Sequence, residues 1–210
     1  MPPEPLTLAF DTAAAHCAAV LFQGPNMLTC RVDPMSKGQA EHLLPMLEYL
    51  LTSAGYNWPD LNTLGVGVGP GNFTGIRISV AAARGLSLSL NVPAIGISRL
   101  DAIAYGSAGP QSVVVDARQN RVYHQRFDNG VALSDVELVE RDSLPHDQSY
   151  LSDSPLELAD ITQVCAEDVI RNTGALVQLR RTEEHPRPAP LYVRAPDAAL
   201  PSEQPPRILP

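Results

Sequence analysis

The sequence predicts an α/β protein wound as two similar lobes, and three observations carry that expectation. Apolar runs of strand length alternate with amphipathic or Ala/Leu-rich helical stretches. A pattern of apolar run, Asp, polar turn and second strand occurs twice, as Leu8-Ala9-Phe10-Asp11 with Val20-Leu21-Phe22 and as Val113-Val114-Val115-Asp116 with Arg121–Phe127. Between the two copies, over residues 63–90, a short strand runs into a glycine hinge and a long helix. The expected organisation is an α/β lobe with the hinge at 1–108, a smaller α/β lobe at 109–184 and a Pro-rich tail at 185–210. Asp11 and Asp116 then sit at the ends of equivalent strands beside the cleft between the lobes.

The elements follow in chain order. Leu6–Phe10 and Cys17–Phe22 read as a hairpin with its turn at Asp11-Thr12, closed by Gly24-Pro25. An amphipathic helix follows, with Leu43, Leu47, Leu50 and Ala54 on one stripe, Leu44 and Leu51 widening it, and Gly55 as its cap. Pro45 either begins the regular part of this helix or kinks it. In the hinge, Gly69, Gly71 and Gly75 permit tight turning and close approach, and Thr74 or Asn72 can cap the helix that follows. Ala94–Ile97 reads as a strand and Arg99–Tyr105 as a helix leading into the second repeat. Beyond Phe127 come the turn Asp128-Asn129-Gly130, a strand at Val131–Val139, a polar Pro/Ser/Asp-rich stretch from Ser143 to Pro155, and a helix over Ile161–Arg171. The proline-rich end from His185 is expected to be extended.

Composition narrows the classes of function. A hydrophobic content of 44% over 210 residues supports a packed core. A formal net charge of -8 opposes phosphate backbones and anionic membrane surfaces, so strong RNA binding by the chain alone is not expected. Cys17, Cys30 and Cys165 are odd in number and lack metal-ligand spacing, which fits reduced thiols. The N-terminus shows no basic segment followed by an apolar core, and no run approaches membrane-spanning length, so the expected location is the cytoplasm.

Each candidate for chemistry has a plain structural reading beside it. The hinge lacks the Lys of a phosphate loop and the third Gly of a dinucleotide fingerprint, which leaves a tight turn or an anion or partner site. Asp11 and Asp116 can position a metal-bound nucleotide or simply close hydrogen-bonded turns, and the turn is favoured because neither has a second carboxylate beside it in sequence. His42 has no second His three or four residues away, so metal chelation there is unsupported. Ser98 is outside any nucleophile elbow. Arg77 and Arg84, seven apart on one helix, face either an anion or solvent. The helices at Glu41–Ala54 and Gly75–Leu90 carry more apolar positions than one core-facing stripe requires, and Ala81, Ala82, Ala83 and Gly85 permit close packing. A partner interface is therefore expected on Leu43, Leu47, Leu50, Ala54, Ile76, Val80 and Ala83, with Arg at Leu47 or Leu50 breaking association but not the fold.

Four segments together resemble one family. They are Phe10-Asp11-Thr12, Gly69-Pro70-Gly71-Asn72-Phe73-Thr74-Gly75-Ile76-Arg77, Asp116-Ala117-Arg118 with Val122-Tyr123, and Pro190-Leu191-Tyr192-Val193-Arg194. The resemblance is to the bacterial tRNA threonylcarbamoyladenosine biosynthesis protein TsaB, or YeaZ, family. It is dense over residues 6–127 and returns at the C-terminal motif; Asn72 stands where Ser is expected, and 143–178 matches poorly. The resemblance implies the actin, Hsp70 and sugar-kinase type of fold, with a reduced second lobe. It also implies a non-catalytic subunit that pairs with the catalytic paralogue TsaD and the ATPase TsaE. That assembly transfers threonylcarbamoyl from its adenylate to N6 of adenosine 37 of tRNA, and TsaD carries a metal-binding histidine pair where this chain offers His42 alone. The missing Lys, second His and paired carboxylate lead us to expect no cofactor in the isolated chain, and the helix patch offers a homodimer face when the partner is absent. The alternatives are a kinase-like phosphotransferase of the same fold, prompted by Asp11, Asp116 and the hinge, and a peptidase, which no motif supports.

Overall fold

The computed structural model describes residues 4–193. Its first sheet holds β1 (Leu6–Asp11), β2 (His16–Gln23), β3 (Asn26–Pro34), β4 (Thr63–Gly67) and β5 (Ala94–Ile97). The spatial order is β3-β2-β1-β4-β5, with β1, β2 and β3 antiparallel and β4 and β5 parallel to β1. β1 is buried along its whole length, as a strand with both faces covered must be. β3, which the sequence pattern does not announce, is a partly exposed edge strand without a continuous apolar run.

The second sheet repeats that topology strand for strand. It holds β6 (Pro110–Arg118), β7 (Arg121–Asp128), β8 (Val131–Ala132), β9 (Glu137–Glu140), β10 (Tyr150–Ser152) and β11 (Ile161–Gln163). Its order is β11-β10-β6-β7-β8, with β9 also on β7; β6 and β7 are antiparallel, while β10 runs parallel to β6 and β11 to β10. The internal repeat thus extends beyond its two hairpins to every strand. This is the sugar-kinase type of architecture expected from the resemblance.

The helices distinguish the lobes. In the first, α1 (Gln39–Ser53) connects β3 to β4 and α2 (Phe73–Leu90) connects β4 to β5. In the second, a 3-10 turn at Arg141–Ser143 and loops make the corresponding connections, so this lobe is the reduced one. α3 (Arg99–Ala104) follows β5 and packs on β6, whereas α4 (Ala166–Arg180) follows β11 and packs on β1, β2, β4 and β5. The two helices touch, each lying against the other lobe's sheet. Leu100 and Ile103 meet Val113, Val115, Leu176 and Val177 in the core between the sheets. A division at 108/109 by sequence therefore assigns α4 to the lobe whose strands precede it, although its buried face belongs to the other.

Two expectations change at the second lobe. Helix over Ile161–Arg171 becomes strand Ile161–Gln163 followed by helix Ala166–Arg180, because Cys165 caps the helix and Glu167 and Asp168 occupy its first turn. One strand over Val131–Val139 becomes β8 and β9, broken where Ser134 Oγ accepts the Arg126 amide and Gln125 Nε2 donates to the Ser134 carbonyl. Pro45 lies inside α1 on its exposed side. No described helix is long and apolar enough to cross a membrane.

Candidate functional site

The glycine hinge is built for contact with the first hairpin. Gly69 has φ 91°, a conformation that suits a residue without Cβ, and the Gly69–Pro70 peptide is cis. A Cβ at Gly71 would fall 2.5 Å from the Ala13 carbonyl oxygen, and one at Gly75 would fall 1.9 Å from that of Thr12. The backbone fits because these positions are bare: the Asn72 amide donates to the Ala13 carbonyl at 2.7 Å and Thr12 Oγ1 to the Gly75 carbonyl at 2.6 Å. Asn72 caps α2 by accepting the Gly75 amide, while Thr74 is exposed in the first turn.

This junction forms one wall of a cleft of about 420 Å³ between the lobes. His16, Gln39, Asn72 and Arg99 line it from the first lobe, and Asp116, Arg118, Tyr123 and Asp153 from the second. Arg99 spans it, donating from Nε and Nη2 to the two carboxylate oxygens of Asp153 at 2.6 and 2.8 Å. The partners are only 10% and 4% exposed, so the lobes are tied by a nearly dry, bidentate ion pair. His16 Nε2 lies 3.8 Å from Asp11; burial holds its pKa below the ordinary 6.5, against the pull of that carboxylate.

The two repeated aspartates close turns, as the simpler reading expected. Asp11 Oδ1 accepts the Ala13 amide at 2.7 Å and Asp116 Oδ1 the Arg118 amide at 2.9 Å. Ser98 caps α3 through the Leu100 amide. His42 is engaged with Asp33 at 2.6 Å, and the Arg31 guanidinium, first, and His42 both hold that carboxyl below its usual range. Burial pushes the Cys17 and Cys30 thiols up to about 11, which leaves them protonated at neutral pH. Among the described residues no group of three His, Cys, Asp or Glu could hold a metal ion.

The interface expectation needs correcting. Leu43, Leu47, Leu50, Ile76, Val80 and Ala83 are all buried in this chain's own core, with Ala54 packed partly against it. Helical spacing located the apolar stripes, but the hairpin sheet beneath α1 and α2 already covers them. The residues that are exposed or only partly covered between these helices are different ones. Leu44, Pro45 and Glu48 of α1, Leu86 and Leu90 of α2 and nearby Trp58 line a largely apolar depression of about 480 Å³ between the two helices. Leu44 is 46% exposed there.

Arg77 and Arg84 face the chain's own C-terminal segment. Arg77 Nε donates to the Tyr192 hydroxyl at 2.9 Å and its guanidinium lies 3.7 Å from the Phe73 ring centre, while Phe73 and Tyr192 pack at 5.2 Å. Arg84 Nε donates to the Pro188 carbonyl at 2.8 Å, and the Leu191 amide to Val68 at 2.8 Å. The segment 185–193 is thus strapped along the first lobe; the rest of the expected tail lies outside the described residues. Spacing alone showed that the two arginines share a helix, and the signal for their partner was the proline-rich segment over a hundred residues away.

Comparison with known proteins follows the same outline. The family model for TsaD, tRNA N6-adenosine threonylcarbamoyltransferase, matches residues 34–140. An uncharacterised protein of Mycobacterium tuberculosis is 31% identical, with 91% of this chain and 92% of that one covered. The tRNA threonylcarbamoyladenosine biosynthesis protein TsaB of Escherichia coli is 35% identical over 59% of this chain and 57% of its own length. Among solved structures, YeaZ from Pseudomonas aeruginosa is 20% identical and superposes with a TM-score of 0.72, covering 90% of this chain and 99% of that one. The polyphosphate/ATP-glucomannokinase of an Arthrobacter strain shares the fold more distantly, at 11% identity, a TM-score of 0.50 and coverage of 84% and 99%. With a family model matching half of its length, relatives of 31% and 35% identity and the fold of YeaZ, the chain belongs to the TsaB (YeaZ) family.

Proposed function

We propose that this protein serves tRNA threonylcarbamoyladenosine synthesis as a partner subunit that holds a TsaD-like catalytic paralogue in its active arrangement, alongside a TsaE-like ATPase. The observation that carries the docking part is the apolar depression between α1 and α2, where Leu44 is exposed and Leu86 is only partly buried against the chain's own core. The TsaB name of relatives and the TsaD family match favour a paralogue with two similar helices as its occupant. A second copy of this chain would use the same face in the partner's absence. Net charge of -8 assigns most tRNA affinity to the other subunits. In this reading the isolated chain holds no cofactor and catalyses nothing.

Leu44→Arg tests the docking face. Co-purification with the paralogue should be lost while the melting temperature is kept, and a modification assay with each subunit omitted should fail without this one. Undiminished association of the variant would place the interface elsewhere. The kinase-like reading is favoured by one observation, the cleft with Asp116, Asn72 and Arg118 on its walls. Calorimetry with magnesium-ATP decides between the two: micromolar binding lost in Asp11→Ala would replace the partner-subunit reading.

A further inference from the structure

A cavity of about 740 Å³ lies beside the strap, at the far end of α2 from the hinge and away from the inter-lobe cleft. Its apolar surface comes from Leu88, Val92, Pro93 and Ile95. Arg84, Arg181, His185 and Arg187 bring cationic and hydrogen-bonding side chains from α2, the end of α4 and the strap; among the described residues Glu183 is the one carboxylate in its lining. Among the described residues none of these three arginines forms an ion pair. In a chain of net charge -8, three unpaired guanidiniums around one cavity are a local reversal of sign.

The rim is held in place. Arg84 Nε is fixed on the Pro188 carbonyl, Pro188 is buried against the position of Gly96, and Ser87 Oγ donates to the Val92 carbonyl at 2.6 Å. His185 Nε2 is 2.6 Å from the Arg180 carbonyl, which pins the start of the strap. The strap therefore does more than cover α2: it carries Arg187 to the same cavity as Arg84 and Arg181.

We propose that this cavity is a binding site for a phosphate-bearing ligand of nucleotide size. Three guanidiniums against one carboxylate leave a formal charge of about +2, more than one carboxylate ligand neutralises and suited to a phosphate dianion or to successive phosphodiesters. The volume falls in the range of small-molecule sites, and Leu88, Val92 and Pro93 offer an apolar surface for a base. A free nucleotide and an RNA strand present the same chemistry. The neutral explanation, that Arg181 merely offsets the carbonyl end of α4 and Arg84 only anchors the strap, predicts a change in stability without a ligand.

The test uses the full chain with three probes: AMP, a short single-stranded RNA and a polyglutamate peptide, each titrated by NMR at low and near-physiological salt. AMP or RNA should move the side-chain signals of Arg181 and Arg187 and the amides of 85–95. Arg181→Glu combined with Arg187→Glu, both exposed, should weaken that binding at least about tenfold with the melting temperature unchanged. Arg181→Gln with Arg187→Gln should weaken it less. If RNA is the source, its salt slope should drop by about 0.7 for each phosphate that the variant no longer neutralises; if a free nucleotide is, AMP should bind at least as well as the RNA. No movement with AMP or RNA, undiminished binding by the Glu variant, or a response to polyglutamate alone would overturn the assignment. None of these outcomes depends on whether a paralogue docks between α1 and α2.

Discussion

Asp11 at the end of β1 and Asp116 near the end of β6 accept amides two residues ahead, in matching turns of a duplicated sheet. Their surroundings differ. Asp11 is 9% exposed, and a Cβ at Gly67 on the neighbouring strand would fall 1.5 Å from its Oδ2. Asp116 is exposed, and its neighbour is Ser154, whose Oγ accepts the Asp116 amide. The first hairpin then turns without a left-handed residue, whereas the second passes through Arg118, Gln119 and Asn120 with φ of 62°, 53° and 58°. One local motif has become a buried fixture in one lobe and an exposed, strained loop in the other. The first lobe also carries α1, α2 and the hinge, and among the described residues the second lobe has no counterparts of those helices.

The comparison is broken most severely where the lobes are tied. Asp153→Ala should cost about 3–5 kcal/mol, because Arg99 would keep its buried charge without its partner. Urea unfolding measures this, and a cost near zero would show that the tie is dispensable. Gly67→Ala comes next, at about 1–3 kcal/mol, since the new methyl must displace the Asp11 carboxylate; Ser154→Ala, at the matching position, should cost less.

A pH titration sharpens the contrast at His16. Its folded pKa is depressed by burial, so the unfolded chain takes up the proton first. Stability from this site is therefore complete above the unfolded value of about 6.5 and declines as pH falls below it. Denaturation at pH 7.5 and 5.5 should show a smaller loss in His16→Asn than in the parent; an equal loss would assign the slope to other groups. The smallest effect is expected at the second turn. Gln119→Gly should relieve about 1 kcal/mol of left-handed strain, partly offset by losing the bond from Arg121, for a slight rise in melting temperature.

Several features were legible because they are written in adjacent residues. The duplicated run of apolar residues and Asp marked both central hairpins, Asn72 was one of two visible cap candidates, and the glycines marked a close approach. β10 was hidden in a polar stretch because three residues, Tyr150–Ser152, suffice for a strand paired on both sides. The interface residues were misplaced for a related reason. Periodicity finds the apolar faces of α1 and α2 but cannot say which stripe the sheet covers and which is left open.

By itself the sequence determined the α/β class and the two-lobed repeat and favoured turns at Asp11 and Asp116, since each follows from local spacing, φ preference or short-range hydrogen bonding, while it left the hinge open between a turn and a ligand or partner site. Tertiary structure alone decided that α3 and α4 lie against each other's sheets, that Arg99 and Asp153, 54 residues apart, close the cleft, and that Arg77 and Arg84 hold a strap 115 and 104 residues away. Those pairings arise when two packed lobes bring distant side chains together, and no periodicity in the chain records which distant partner a charged group will meet.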